Sequence, residues 1–295
     1  MSPITKVALV GAGGNLGPAI LDKLIEHCFQ VTVLSRIGSV HTFPPSIQVH
    51  HVDYSSQASL TNALRGQDAV VSALSPRALD HQLIIIDAAV AAGVRRLIPS
   101  EFGSDTSNPK CATLPVYHSK IETQNTLKGT PSLTYTVICT GPFLDWGLTR
   151  GFMDIQSRRV TLYDGGDRVF STTTLSTIGR VVCAVLAHPG KTENRVIRVH
   201  DIATTQNNLL AIAQKAVGPD DWTVHRCSVD DMHEQSWAAF KQGKRDMQTM
   251  LGFIVTAAWG KGYGGHFIQT ENEMLGIPEM TEADLQEVVG QLARK

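Results

Sequence analysis

An α/β fold built on a doubly wound parallel sheet is what this 295-residue sequence predicts. Three observations carry the prediction. Short β-branched runs alternate with helix-length stretches through the first half, the pattern of strands covered on both faces. The first such run ends in a cluster of glycines before a helix-like stretch. The composition, 42% hydrophobic and 18% charged, is that of a globular chain, which excludes disordered and fibrous architectures.

The elements follow in order. Strand runs are expected at 6–10, 30–34, 47–52, 69–73, 96–98 and 134–138, with helices at 15–27, 57–64, 80–92 and 116–127 between them. The segment 83–94 is apolar nearly all round apart from Asp87 and too short to span a bilayer, so it reads as a buried helix. The apolar run 7–12 behind Lys6 is likewise too short for a signal peptide and is read as the first buried strand.

After Gly141-Pro142 the rhythm changes, with Phe143, Trp146, Phe152 and Tyr163 leading to a turn at Asp164-Gly165-Gly166. A helix at 176–186 and a strand at 195–199 bring the chain back to the first domain. The expected organisation is a sheet domain over 1–141, rejoined by about 171–204, and a smaller discontinuous C-terminal substrate-binding cap from 142–170 and 205–295.

Charge and cysteines narrow the function. Lys and Arg total 26 against 27 acidic residues, a net charge of -1, so no basic field recruits nucleic acid or anionic lipid. The five cysteines are odd in number and show no CxxC pair, as expected of reduced thiols in a cytoplasmic protein. Metal chemistry is not expected: no HxxxH pair occurs, and His50 and His51 on an alternating strand point to opposite faces. A serine nucleophile lacks its GxSxG elbow.

The strongest signal is the loop Gly11-Ala12-Gly13-Gly14-Asn15-Leu16-Gly17, spaced G-x-x-G-x-x-G between a strand and a helix. Leu16 stands where the strict dinucleotide fingerprint has its third glycine, yet the physics is the same. Glycines admit a pyrophosphate to the backbone, and the helix N-terminus offers free N–H groups. This is the start of a Rossmann-type nucleotide-binding unit. The second strand ends in Ser35-Arg36 with no adjacent carboxylate, a hydroxyl and a planar fork suited to a ribose 2′-phosphate. NADPH/NADP+ is therefore the expected cofactor.

Several stretches together resemble the isoflavone reductase and phenylcoumaran benzylic ether reductase family, within the NmrA-like atypical short-chain dehydrogenases, and its fungal branch above all. They are the glycine loop, Leu34-Ser35-Arg36, the segment 91–103 ending Pro99-Ser100-Glu101-Phe102-Gly103, the helix around Lys120, 134–136, 141–143 and 173–186. The resemblance implies that Lys120 is the catalytic acid or base, beside the cofactor. It also places Ser100 and Phe102 at the cofactor. Tyr117 and His118 are assisting candidates; Tyr117 lies three residues before Lys120, where ordinary short-chain dehydrogenases use four, and either spacing shares a helix face. Glu101 is assigned to capping a turn.

The implied activity is an NADPH-dependent reduction of an aromatic or polyketide-like small molecule bearing a conjugated carbonyl, enone or quinone-methide-like acceptor. Phe143, Trp146, Phe253 and Trp259 are the candidate substrate contacts. Two alternatives stay open: a non-catalytic dinucleotide-binding redox sensor acting through a regulatory protein partner, and a redox-neutral isomerase or cyclase.

Overall fold

The computed structural model describes residues 2–294. Strands β1 (Lys6–Val10), β2 (Gln30–Arg36), β3 (Gln48–Val52), β4 (Ala69–Ser72), β5 (Arg96–Ile98) and β6 (Thr134–Cys139) lie within a residue or two of the expected runs. The helices Gly17–Glu26, Gln57–Leu64, His81–Ala92 and His118–Lys128 separate them. Beyond them come β7 (Met153–Asp154), β8 (Arg159–Tyr163), β9 (Phe170–Thr172), β10 (Arg195–Arg198), β11 (Ile202–Thr204) and β12 (Thr223–Cys227). The central sheet has seven strands in the order β10-β6-β5-β4-β1-β2-β3, and every neighbouring pair is parallel. This is the strand order of the dinucleotide-binding fold, with one further strand.

Burial explains why the strands read as continuous apolar runs. Along β1, Val7 and Leu9 enter one core while Ala8 and Val10 enter the other, and all four are fully buried. The first core is covered by the helices Gly17–Glu26 and Leu175–Ala187, the second by the helices Gln57–Leu64 and His81–Ala92. Strand β10 pairs with β6 from Arg195↔Thr136 to Arg198↔Cys139, so the chain rejoins the sheet after its excursion.

A third core lies away from the sheet. It gathers Leu144, Phe152, Val160, Tyr163, Phe170 and Trp259 with side chains of the helices Gln206–Val217 and Glu282–Ala293. Strands β7, β8 and β12 form a small sheet beside it. Among the described residues no helix is long and apolar enough to cross a membrane, and no His, Cys, Asp and Glu group is arranged to hold a metal.

The half of the central sheet made by β5, β6 and β10 is pinned by buried polar groups. Arg96, 1% exposed, donates to Thr134 Oγ1 at 2.8 Å, Thr136 and Thr192 Oγ1 at 3.1 Å, and the Pro189 carbonyl at 2.7 Å. Burial pushes its guanidinium pKa down, and these four acceptors replace the lost water. Arg198 on β10 donates through Nε to Asp105 Oδ2 at 2.7 Å and so ties the strand to the loop after β5.

Candidate active site

The glycine loop is a backbone structure. Gly11 has φ +80°, and a Cβ there would lie 2.4 Å from the Ala73 carbonyl oxygen at the end of β4. Only glycine permits both that conformation and that approach. A Cβ on Gly17 would lie 2.2 Å from Gly11 O, so this residue lets the helix pack onto the loop. Gly13 faces the ring of His41 instead, and Gly14 closes the turn with its N–H on Gly11 O at 3.0 Å. The helix Gly17–Glu26 starts at Gly17-Pro18, and no side chain caps it. Pro18 has no N–H and that of Ile20 donates to the Leu16 carbonyl at 3.2 Å, so it is the N–H groups of Gly17 and Ala19 that can meet an anion.

The loop opens into a cleft of about 520 Å³ at the carboxyl ends of β1, β2 and β4. Gly11, Gly13, Gly14, Ser35 and Arg36 all line it. Arg36 is exposed at the tip of β2, whereas Ser35 is 7% exposed. The cleft also brings in residues that local sequence did not reveal: Ser39, His41, Asp53, Ser75 and His81. Asp53 follows β3, which runs beside β2 with Arg36 opposite Val52. Hydrogen bonds from the Ser55 hydroxyl and N–H hold its carboxyl below the usual range. Acidic charge thus stands in the cleft, although none adjoins Arg36 in the chain.

Two residues expected at the cofactor belong to the core. Leu16 is 6% exposed and packs against the sheet. Its place in the fingerprint is filled by an apolar side chain that points inward, while Asn15 is exposed on the loop. Phe102, 7% exposed, is in the same core. Ser100 is a link between strands: its hydroxyl donates to the Leu74 carbonyl at 2.8 Å, and its N–H donates to Gln82 Oε1 at 2.6 Å. Leu74 lines the cleft, so this bond ties the β5 loop to the cleft wall.

Lys120 extends from the first turn of the helix His118–Lys128, and its Nζ donates to the carbonyl of Glu101, the residue after Ser100. Its nitrogen is 5.7 Å from the centre of the Tyr117 ring. Tyr117 does not share the helix with Lys120. It closes the preceding 3₁₀ turn Pro115–Tyr117, is 5% exposed, and shares a 2.8 Å hydrogen bond between its hydroxyl and that of Ser104. Burial pushes its phenol pKa far up, so Tyr117 stays protonated, and its ring helps close a small core with Cys111, Leu114 and Phe253. His118 is exposed at the helix start.

The candidate substrate contacts separate in the same way. Phe253 is completely buried in that small core, and Trp259, 5% exposed, is boxed by Phe152, Tyr163 and Phe170 at ring separations of 4.8 to 5.6 Å. Both are packing residues in this conformation, since aromatic runs form core before they form pockets. Phe143 is half-buried against the main core, and Trp146 is 43% exposed on the short helix Leu144–Thr149.

Residues 3–225 match the model of the NmrA-like family. The chain belongs to that family. This NmrA-like protein is 36% identical over 284 residues to the oxidoreductase aprR of Aspergillus flavus, covering 92% of this chain and 94% of that one. The ternary complex of leucoanthocyanidin reductase from Vitis vinifera superposes with a TM-score of 0.80 at 17% identity, over 98% of this chain and 99% of that one. AtPrR2 with NADP+ and (+)pinoresinol superposes with a TM-score of 0.78 at 20% identity, over 99% of this chain and 100% of that one. These similarities establish the shared fold over its whole length.

Proposed function

We propose that this NmrA-like protein is an NADPH-dependent oxidoreductase that reduces an aromatic or polyketide-like small molecule at a conjugated carbonyl, enone or quinone-methide-like acceptor. One observation carries the reading: the cleft that holds the glycine turn and Arg36 is tied through Leu74 and Ser100 to the loop that holds Lys120. The oxidoreductase name of the Aspergillus relative and the NADP+ and pinoresinol of AtPrR2 support it.

The chain fits the cofactor. The side-chain-free turn at Gly11, Gly13 and Gly14 and the uncapped helix receive the pyrophosphate, and Arg36 with Ser35 receives the 2′-phosphate. When bound, the reduced nicotinamide supplies hydride. Lys120 supplies the proton: its ammonium donates a hydrogen bond to the substrate oxygen and transfers that proton as negative charge develops there. Tyr117 and Ser104 shape the wall behind the lysine. In this reading the sheet domain, 1–141 rejoined by about 171–204, carries the cofactor. The cap segments 142–170 and 205–295 cover the substrate, with Trp146 and Phe143 as contacts.

The test is loss of NADPH absorbance with a panel of enones, aryl ketones, benzylic ethers and quinones. Turnover of at least one class, with NADPH preferred to NADH, is the expected result. Tight NADPH binding with no turnover across the panel would favour a dinucleotide-binding regulator instead.

A further inference from the structure

Glu101 is the least comfortable side chain next to the site. It is 2% exposed, and its Oε1 has no hydrogen-bond partner among the described residues. Its Oε2 accepts a 3.3 Å hydrogen bond from Thr106 Oγ1, and Gln124, whose Nε2 donates to that same threonine oxygen at 2.8 Å, also favours the carboxylate from close by. A buried carboxyl held this loosely costs stability, so it needs a reason other than packing. Its sequence role as a turn cap does not describe it, because a cap accepts from backbone N–H groups and among the described residues none donates to this carboxyl.

We infer that Glu101 is the positioning residue for Lys120: its carbonyl anchors the ammonium, and its buried carboxyl, when ionised, is the counter-charge that holds the ammonium at this end of the helix. This rests on the reading of Lys120 as proton donor. The surroundings leave Lys120 as the cation for this carboxyl. Asp105 and Arg198 satisfy each other at 2.7 Å. Burial pushes Cys111 up to about 12 and raises Cys139 and Tyr117 as well, so all three face Glu101 uncharged. Burial also raises the Glu101 carboxyl, and the charge of Lys120, followed by hydrogen bonds from Gln124 and Thr106, opposes that rise.

The sign for stability follows. Between the ordinary carboxylate range and its raised native value, Glu101 binds more protons folded than unfolded, so stability falls as pH rises through that window. Glu101→Gln removes this fall. It is expected to melt about 2–4 °C higher than the parent at pH 8 and level with it at pH 4, because half-exposed Lys120 can be solvated once its partner is gone. A residue kept for packing would do the opposite and melt lower at both.

The experiment uses the whole chain with saturating NADP+ and reads the protonated-carboxyl C=O band by infrared difference spectroscopy over a pH series. Glu101→Gln should delete one band. In Lys120→Met the midpoint of that band should move at least half a pH unit upward, because the cation favouring the carboxylate is gone. Thr106→Val, which removes the Thr106 hydrogen bond to Oε2, should move it upward too and identifies the band if Glu101→Gln does not fold. Identical titration in the parent and Lys120→Met overturns the inference. If Lys120→Ala turns over like the parent while the band still shifts, the carboxyl and lysine are coupled but the proton-donor reading is what has failed.

Discussion

The two halves of the central sheet border the same site but are built by opposite means. Around β1, β2 and β3 the site is made by taking side chains away: Gly11, Gly13 and Gly14 leave bare backbone lining an open cleft. Around β5, β6 and β10 it is made by adding polar side chains to a closed interior, where Arg96, Glu101, Asp105 and Thr136 are all at least nine-tenths buried. A phosphate is recognised well by bare backbone and a helix N-terminus. A proton donor needs a held nitrogen and a controlled charge, which only packed, hydrogen-bonded side chains provide.

The contrast breaks most severely at Gly11. Gly11→Val places a branched side chain at φ +80° and 2.4 Å from the Ala73 carbonyl oxygen, so loss of NADPH binding together with partial unfolding is expected by titration and circular dichroism. Gly14→Ala is the control. Its Cβ meets Gly11 O at 3.3 Å and Ala73 O at 3.8 Å, and its φ is not in the left-handed region, so a folded protein with weakened binding is expected.

A smaller effect is expected at the open end of the cleft. Arg36→Asp should invert the cofactor preference, costing NADPH about 1.5–3 kcal/mol, roughly ten- to a hundredfold in Kd, for one lost charge-assisted contact. Direct titration of NADPH and NADH with both proteins checks it. Equal affinity of the parent for the two cofactors would remove Arg36 from the account of specificity.

The smallest effect is one of stability. Asp68 stands at the opposite end of the sheet from the cleft, where its carboxylate accepts from Thr5 N, Thr5 Oγ1, Lys6 N and Arg95. Desolvation would raise it, but the bonds from Lys6, Arg95 and Thr5 outweigh that and hold its carboxyl well below the usual range. It therefore contributes stability above the ordinary carboxylate pKa, and that contribution is lost as pH falls through the acid range. Asp68→Asn should cost about 1–2 kcal/mol at pH 7 in a denaturant melt, and less below pH 3, with cofactor affinity unchanged.

The difference between the halves also governs what could be read in the sequence. Strand β1, the glycine loop and Arg36 are contiguous and carry local signals, so their placement was legible. Lys120 was legible only through the resemblance. Asp53 and His41 enter the cleft from separate loops and His81 from the start of the helix His81–Ala92, and no local pattern marks them. Leu16 and Phe102 sit beside functional positions, yet the backbone turns their side chains into the core. Tyr117 fell one residue outside the helix, because a 3₁₀ turn ends there and changes which way the ring points. Phe253 and Trp259 illustrate the opposite ambiguity: aromatic residues in a cap read alike whether they line a pocket or fill a core. Glu101 reads in the sequence as a turn cap, because burial of a carboxyl depends on elements distant in the chain.

The most direct test of a lysine-centred reduction compares binding and chemistry in Lys120→Ala with any substrate found by the NADPH panel. Cofactor affinity is measured by titration, and the rate of NADPH oxidation in a single turnover. Unchanged affinity with a rate lowered about 10²–10⁴-fold, not restored by Lys120→Arg, is the predicted result. A Lys120→Ala protein that binds NADPH and turns over like the parent would contradict it.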